Sequence, residues 1–155
     1  MAGETVARKG DEGTAYWLLG GLYEVLLSAD ETGGAMTVMR ITMPPRTGSP
    51  PHVHPGAEAM YVLDGELDVH MGDETVAARP GSHFHFPAGT LEWVDATTEV
   101  TALITYVPGG IDRFFAAVGE PALSRTLPPP SDTPPDFERI VAVAAEHGMD
   151  IRPPE

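Results

Sequence analysis

The sequence predicts an all-β protein: an antiparallel barrel or sandwich of about nine short strands, followed by a short helical appendage. Three observations predict it. Short runs with apolar residues at every second position succeed one another between residues 16 and 107. Turn residues separate these runs, and the 17 glycines and 16 prolines are too few for low-complexity disorder, which needs ~25–30% of the chain. A length of 155 residues with 42% hydrophobic residues suits one compact core.

Taken in order, Tyr16–Leu19 opens the strands, and Gly20–Gly21 interrupts before Leu22–Leu27. The turn cluster Asp30–Gly34 leads into Ala35–Met43, where Met39, Ile41 and Met43 face one way and Val38, Arg40 and Thr42 the other. Pro44–Pro45 ends that run. Further strands are expected at Glu58–Leu63, Glu66–Met71, Glu74–Ala77, His83–Phe86, Leu91–Asp95 and Val100–Val107. Asp64–Gly65, Gly72–Asp73, Pro80–Gly81 and Pro87–Gly89 supply the turns. Within Glu66–Met71, Leu67, Val69 and Met71 oppose Glu66, Asp68 and His70, which puts His70 on a solvated face.

The last third is different. Ile111, Phe114, Phe115 and Val118 fit a short helix that Gly119 closes. Pro128–Pro130 and Pro134–Pro135 make a stiff connector. Thr133 reads as an N-cap with Pro134 at the first helical position and Asp136 at the third. Phe137, Ile140, Val141 and Ala144 then recur at helical spacing, Gly148 stops the helix, and His147 sits favourably at its C-terminal end. The expected organisation is a polar leader over 1–14, a barrel over 15–120, and a connector with a final helix over 121–155.

Charge narrows the function. Nine basic against 23 acidic residues give −14, and such a surface repels phosphate backbones and anionic lipid, so neither nucleic acid nor a membrane is expected as a partner. Without cysteine there are no disulfides, thiolate ligands or cysteine nucleophile. No apolar stretch reaches the ~18 residues of a membrane span, and the first residues lack a secretory pattern, so a cytoplasmic location is the expectation. No phosphate-cradling loop or serine-nucleophile elbow is present.

Chemistry concentrates in the histidines. His52/His54 and His83/His85 are two pairs at i, i+2, and in a strand each pair points to one side. Glu58 shares its face with apolar Met60 and Val62, where a carboxylate is costly unless it is paired or bound to a metal. Two imidazoles and a carboxylate form a set that holds a transition metal with open positions. The plain alternative is surface histidines at a barrel mouth.

Spacing adds context. The segment Pro51-His52-Val53-His54-Pro55-Gly56-Ala57-Glu58, followed by Gly65, resembles the first motif of the cupin superfamily, and Gly81, Pro87 and Gly89 have the spacing of the second. Thr32–Ala35, Ser49–His52 and Tyr61–Glu66 are similar to small single-domain bacterial cupins of the quercetin 2,3-dioxygenase type. The resemblance spans most of residues 16–151. It implies a cupin jelly-roll, or double-stranded β-helix, and a homodimer, for which the apolar outer residues Ala59, Tyr61 and Leu63 suit a partner sheet.

The resemblance also implies a metal site, with two departures. Arg46 stands where the first motif opens on glycine, a turn that Gly48 can serve. Glu92 stands where the family carries its last metal-ligating histidine. Three readings of Glu92 follow. It ligates beside His52, His54 and Glu58, favouring harder divalent metals. Or His83 or His85 turns inward as the replacement ligand, leaving Glu92 as a free acid or base. Or the metal site has decayed.

The expected cofactor is one divalent transition metal: Fe, Mn, Ni or Zn. The implied function is a metal-dependent enzyme on a small aromatic or polyketide-like substrate, foremost a quercetinase-like dioxygenase with Glu58 as catalytic base. A metal-dependent cyclase or isomerase is the second reading, and a non-catalytic small-molecule-binding cupin the third. Met43, Met60 and Trp93 are expected to line the pocket, the remaining methionines to fill the core.

Overall fold

The computed structural model describes residues 3–153 and is built from twelve strands and two helices. The strands are β1 (Ala15–Leu18), β2 (Gly21–Leu27), β3 (Thr37–Met43), β4 (His52–Val53), β5 (Ala57–Asp64), β6 (Leu67–Met71), β7 (Glu74–Ala78), β8 (His83–Phe86), β9 (Leu91–Ala96), β10 (Val100–Val107), β11 (Glu120–Pro121) and β12 (Asp150–Ile151). Helix α1 is Ile111–Val118, and α2 is Phe137–Glu146.

They form two antiparallel sheets, one in the order β11-β1-β2-β3-β10-β5-β8 and one in the order β12-β4-β9-β6-β7. This is a jelly-roll, and the alternation that predicts its strands also fills it. β3 alternates buried and half-exposed residues throughout, with Met39, Ile41 and Met43 inward. β10 places Val100, Ala102, Ile104 and Tyr106 on the same interior. From the second sheet, Leu67 and Val69 of β6 and Ala96 of β9 meet them. The outer face of β5 stays open, with Tyr61 and Leu63 each 46% exposed.

Gly65 shows why the β5–β6 turn needs glycine. It has φ +85°, and a Cβ there would lie 2.1 Å from the Glu99 carbonyl oxygen. The opening of the first motif differs from expectation: Arg46 itself adopts φ +57°, the left-handed conformation that glycine normally takes. Gly48 is fixed for another reason, since a Cβ there would lie 1.9 Å from the Val94 carbonyl oxygen.

The first and last described segments pack onto the sheets. Arg8 reaches Leu26 O and Glu31, Arg40 reaches Gly10 O, and Arg125 reaches Gly13 O, so the leader lies along β2 and β3. Glu24, buried at 3% exposure, is held below the usual carboxylate range: its burial, which acts to raise it, is outweighed by Arg40 and Arg125. Trp17 Nε1 donates to Thr126 O and anchors the connector.

Helix α1 forms where its apolar spacing predicts, and Gly119 N–H closes it on Phe115 O. Helix α2 starts three residues later than Thr133 implies. Asp136 is the cap, its Oδ1 accepting from Arg139 N at 3.0 Å, because the two prolines hold the preceding chain extended. Ile140 and Ala144 face the core, and Gly148, at φ +77°, turns the chain into β12. β12 then pairs with β4, Ile151 opposite His52. No described helix is long and apolar enough to cross a membrane.

Candidate metal centre

Three segments bring four ligating side chains together. His52 lies on β4 and is paired directly with Glu92 on β9 in the smaller sheet. His54 follows β4 at once, its carbonyl accepting from Gly89 N at 3.1 Å, so the second motif's last glycine holds the first motif's second histidine. Glu58 is the second residue of β5, in the larger sheet. One ligating atom from each of the four lies within 4.8 Å of those from the others.

The geometry suits an ion. His54 Nε2 is 3.0 Å from Glu58 Oε2 and 3.8 Å from Glu92 Oε1, and His52 Nε2 is 3.4 Å from Glu92 Oε1. These separations match the ~3–4 Å that ligand bonds of ~2.1 Å impose around one metal. His52 Nδ1 lies 2.8 Å from Pro50 O; with the proton on Nδ1, the lone pair of Nε2 points into the cluster. Glu58 Oε2 is fully buried and, although close to His54, makes no hydrogen bond. An orphaned buried carboxylate oxygen is costly, and a cation in the cluster would satisfy it. Two imidazoles and two carboxylates would also neutralise a divalent charge and suit Fe, Mn, Ni or Zn. The residues fit the group.

The same burial shifts the acids and bases. Burial pushes Glu92 up to about 7, aided by the charge of Glu58 and opposed by His52. Glu58 is raised by burial against the pull of Glu92 and His52. Burial and the neighbouring His52 charge press His54 down to about 4. For His52, burial lowers the imidazole, but Glu92, Pro50 O and Glu58 together outweigh it.

His83 and His85 are elsewhere. On β8 they stand opposite Tyr61 and Ala59, on the outer face, and both are exposed; Phe84 and Phe86 take the inward positions. An inward replacement histidine is therefore corrected: the alternation of β8 that buries Phe86 turns both imidazoles out, and His83 stacks on Tyr61 instead. His70 is on its expected outer face, between Thr75 and Asp95. Trp93 borders the cavity, but its ring lies on that outer face, stacked on His70 at 4.6 Å, because Glu92 and Val94 take the inward positions beside it.

His52, His54, Glu58 and Glu92 all line a cavity of about 110 Å³. Met43 and Met60 border it, as do Ile41, Phe86, Ile104 and Phe114. The C-terminal segment adds Ile140, Met149 and Ile151, which sequence reasoning left outside the site because only the long-range β12–β4 pairing brings them back.

Tyr23 and Tyr106 also line the cavity and were not singled out from the sequence. The signal was available for Tyr106, which continues the inward face of Val100, Ala102 and Ile104 and stands directly across from Glu58. Its ring lies edge-on to His54 at 5.2 Å. Burial, then the charges of Glu58, Glu92 and Tyr23, push its hydroxyl well above the ordinary value; burial pushes Tyr23 up to about 12.

Comparison with known proteins agrees with this fold. Residues 39–108 match the family model of the cupin domain. No curated relative matches the chain by sequence. Among solved structures, ectoine synthase from P. lautus superposes with a TM-score of 0.62 at 16% identity, over 84% of this chain and 96% of that one. An RmlC-like cupin from Shewanella frigidimarina gives 0.62 at 18% identity, over 73% and 99%. KdgF from Halomonas sp. gives 0.56 at 17%, over 62% and 87%. Likeness at such identities shows the fold alone. The two antiparallel sheets have the cupin fold, and the segment that matches the cupin-domain model, residues 39–108, contains all four residues of the cluster.

Proposed function

We propose that the protein is a metal-dependent enzyme acting on a small, largely apolar molecule of about single-ring size, bound by an oxygen atom at the His52–His54–Glu58–Glu92 centre. Glu58 Oε2 carries this reading: it is a buried acceptor without a donor, on a cavity with mainly apolar walls. A divalent ion held by these four residues would polarise a substrate oxygen and acidify a hydroxyl.

The chain's own residues supply the rest. Apolar walls exclude water and leave the substrate few polar contacts away from the centre. Glu58, whose burial raises it towards neutrality, accepts a proton from a phenol, an enol or a carbon beside a carbonyl. His52, held by Pro50 O, keeps its orientation.

Dioxygenation of the quercetinase type begins with the same deprotonation and consumes dioxygen. The cavity of about 110 Å³ is of the order of the ~150 Å³ that takes one benzene, so it suits a single-ring molecule better than a three-ring flavonol. The oxygenase reading therefore applies to a smaller phenol or enol. A redox-neutral isomerase or cyclase is the second reading, favoured by Glu92, a second inward carboxyl beside Glu58 that can return the removed proton when it is not bound to the metal.

The test is turnover of single-ring phenols and 1,3-diketones by the metal-loaded protein with dioxygen monitored. Oxygen uptake selects oxygenation, and product without uptake selects proton transfer. In either case Glu58→Gln loses turnover at least 100-fold. Binding without any turnover contradicts the enzyme reading.

A further inference from the structure

We propose that Tyr106 is a substrate-binding residue whose hydroxyl donates a hydrogen bond to a second oxygen of the substrate, so that the molecule taken is a single-ring-sized compound bearing two oxygens, such as a dihydroxybenzene or an enolised 1,3-dicarbonyl. The inference rests on the cavity and centre described above and names the substrate class they take.

Tyr106 is only 7% exposed, yet among the described residues its hydroxyl has no hydrogen-bond partner. A buried tyrosine hydroxyl normally finds one. Glu58 Oε2 is the one fully occluded side-chain nitrogen or oxygen without a partner among those residues, and Tyr106 lines the same cavity as Glu58. Two cavities meet Tyr106: the main one, and a second of about 140 Å³ bounded by Pro55, Gly56 and His147. Its strand position favours the cavity that Glu58 lines. It shares the inward face of Ala102 and Ile104, pairs across β5 with Glu58, and lies edge-on to His54. The donor is therefore set beside the acceptor Glu58.

An ordinary phenol is already a neutral donor throughout the physiological range, and burial raises Tyr106 further above it. A ligand oxygen at the metal centre engages Glu58 and the histidines, and a second oxygen on the same ring or chain meets Tyr106. Tyr23 borders the same cavity and is stacked on Phe115 at 4.5 Å.

The experiment is calorimetric binding of benzene, phenol and resorcinol to zinc-loaded wild type and Tyr106→Phe, with zinc content measured on each. Resorcinol carries two oxygens without chelating the metal. Wild type is expected to bind resorcinol more tightly than phenol. Tyr106→Phe should weaken resorcinol about three- to tenfold, as for one neutral hydrogen bond, while benzene affinity and zinc content stay unchanged. In carbon-13 tyrosine-labelled wild type, the ring resonance of Tyr106 should shift with resorcinol and not with benzene, which tests the contact without a variant.

Equal resorcinol affinity in both proteins, or a resonance unmoved by resorcinol, overturns the proposal. Wild type that holds zinc but binds none of the three probes overturns both this inference and the cavity reading. A resorcinol difference that persists in protein unable to hold zinc supports Tyr106 and removes the metal reading alone.

Discussion

Glu92 is caught between its burial and its neighbours. Burial pushes its carboxyl up to about 7 in the folded, metal-free protein, from an ordinary value near 4.5. A carboxyl raised on folding favours the folded state below its unfolded pKa, and this contribution is lost as pH rises through 7. His54, lowered to about 4, acts oppositely: its contribution is present above 6.5 and lost as pH falls through 4. Glu58 and His52 are also raised on folding and act in the same direction as Glu92, so the wild-type profile sums several groups, and a variant isolates Glu92. Metal-free Glu92→Gln is expected to gain stability relative to metal-free wild type as pH rises from 5 to 8, read by thermal unfolding. Metal binding must displace the Glu92 proton, so metal affinity of the wild type should fall as pH drops below about 7, measured by competition with a chelator.

Arg46 gives a residue-scale prediction of another kind. A left-handed arginine costs about 1 kcal/mol, part of which glycine gives back as chain entropy. Arg46→Gly is expected to be neutral to stabilising by up to about 1 kcal/mol in denaturant unfolding, with metal content unchanged.

The elements divide by what specifies them. Long strands such as β3 and β10 are written locally, because a period-2 pattern with one buried face has only one good register. β4, β11 and β12 have two residues each and carry no such pattern; they exist because a distant segment arrives beside them. β12 meets β4 from almost a hundred residues away, and Arg152 N–H donates to Pro51 O beyond it, so the wall it adds to the cavity could not be read from neighbouring sequence. His52, His54, Glu58 and Glu92 were legible through motif spacing. The outward turn of His83 and His85 was legible only in the burial of Phe86, which the register with β5 decides.

Helix α2 illustrates a near miss. Thr133-Pro134 has the chemistry of a helix start, yet a second proline at 135 keeps the chain extended and passes the cap to Asp136. Asp136→Ala should cost about 1 kcal/mol in unfolding experiments, and Thr133→Ala close to nothing.

For the whole molecule, composition and site belong to one design. The glycines and prolines serve mainly as turns of a two-sheet jelly-roll and as a connector that returns the last helix to the barrel mouth. Most of the −14 charge lies outside, whereas Glu24, Glu58 and Glu92 are buried. Glu24 is answered by two arginines, while Glu58 keeps an oxygen that no described residue satisfies. The central claim is that a divalent metal answers it. Elemental analysis of the metal-replete protein tests this most directly, run on wild type, His52→Ala, Glu92→Ala and His85→Ala. The expected result is about one first-row ion per chain in wild type and His85→Ala, and a loss of at least tenfold in affinity in His52→Ala and Glu92→Ala. Wild type without metal, or Glu92→Ala fully loaded while His85→Ala is empty, would contradict it.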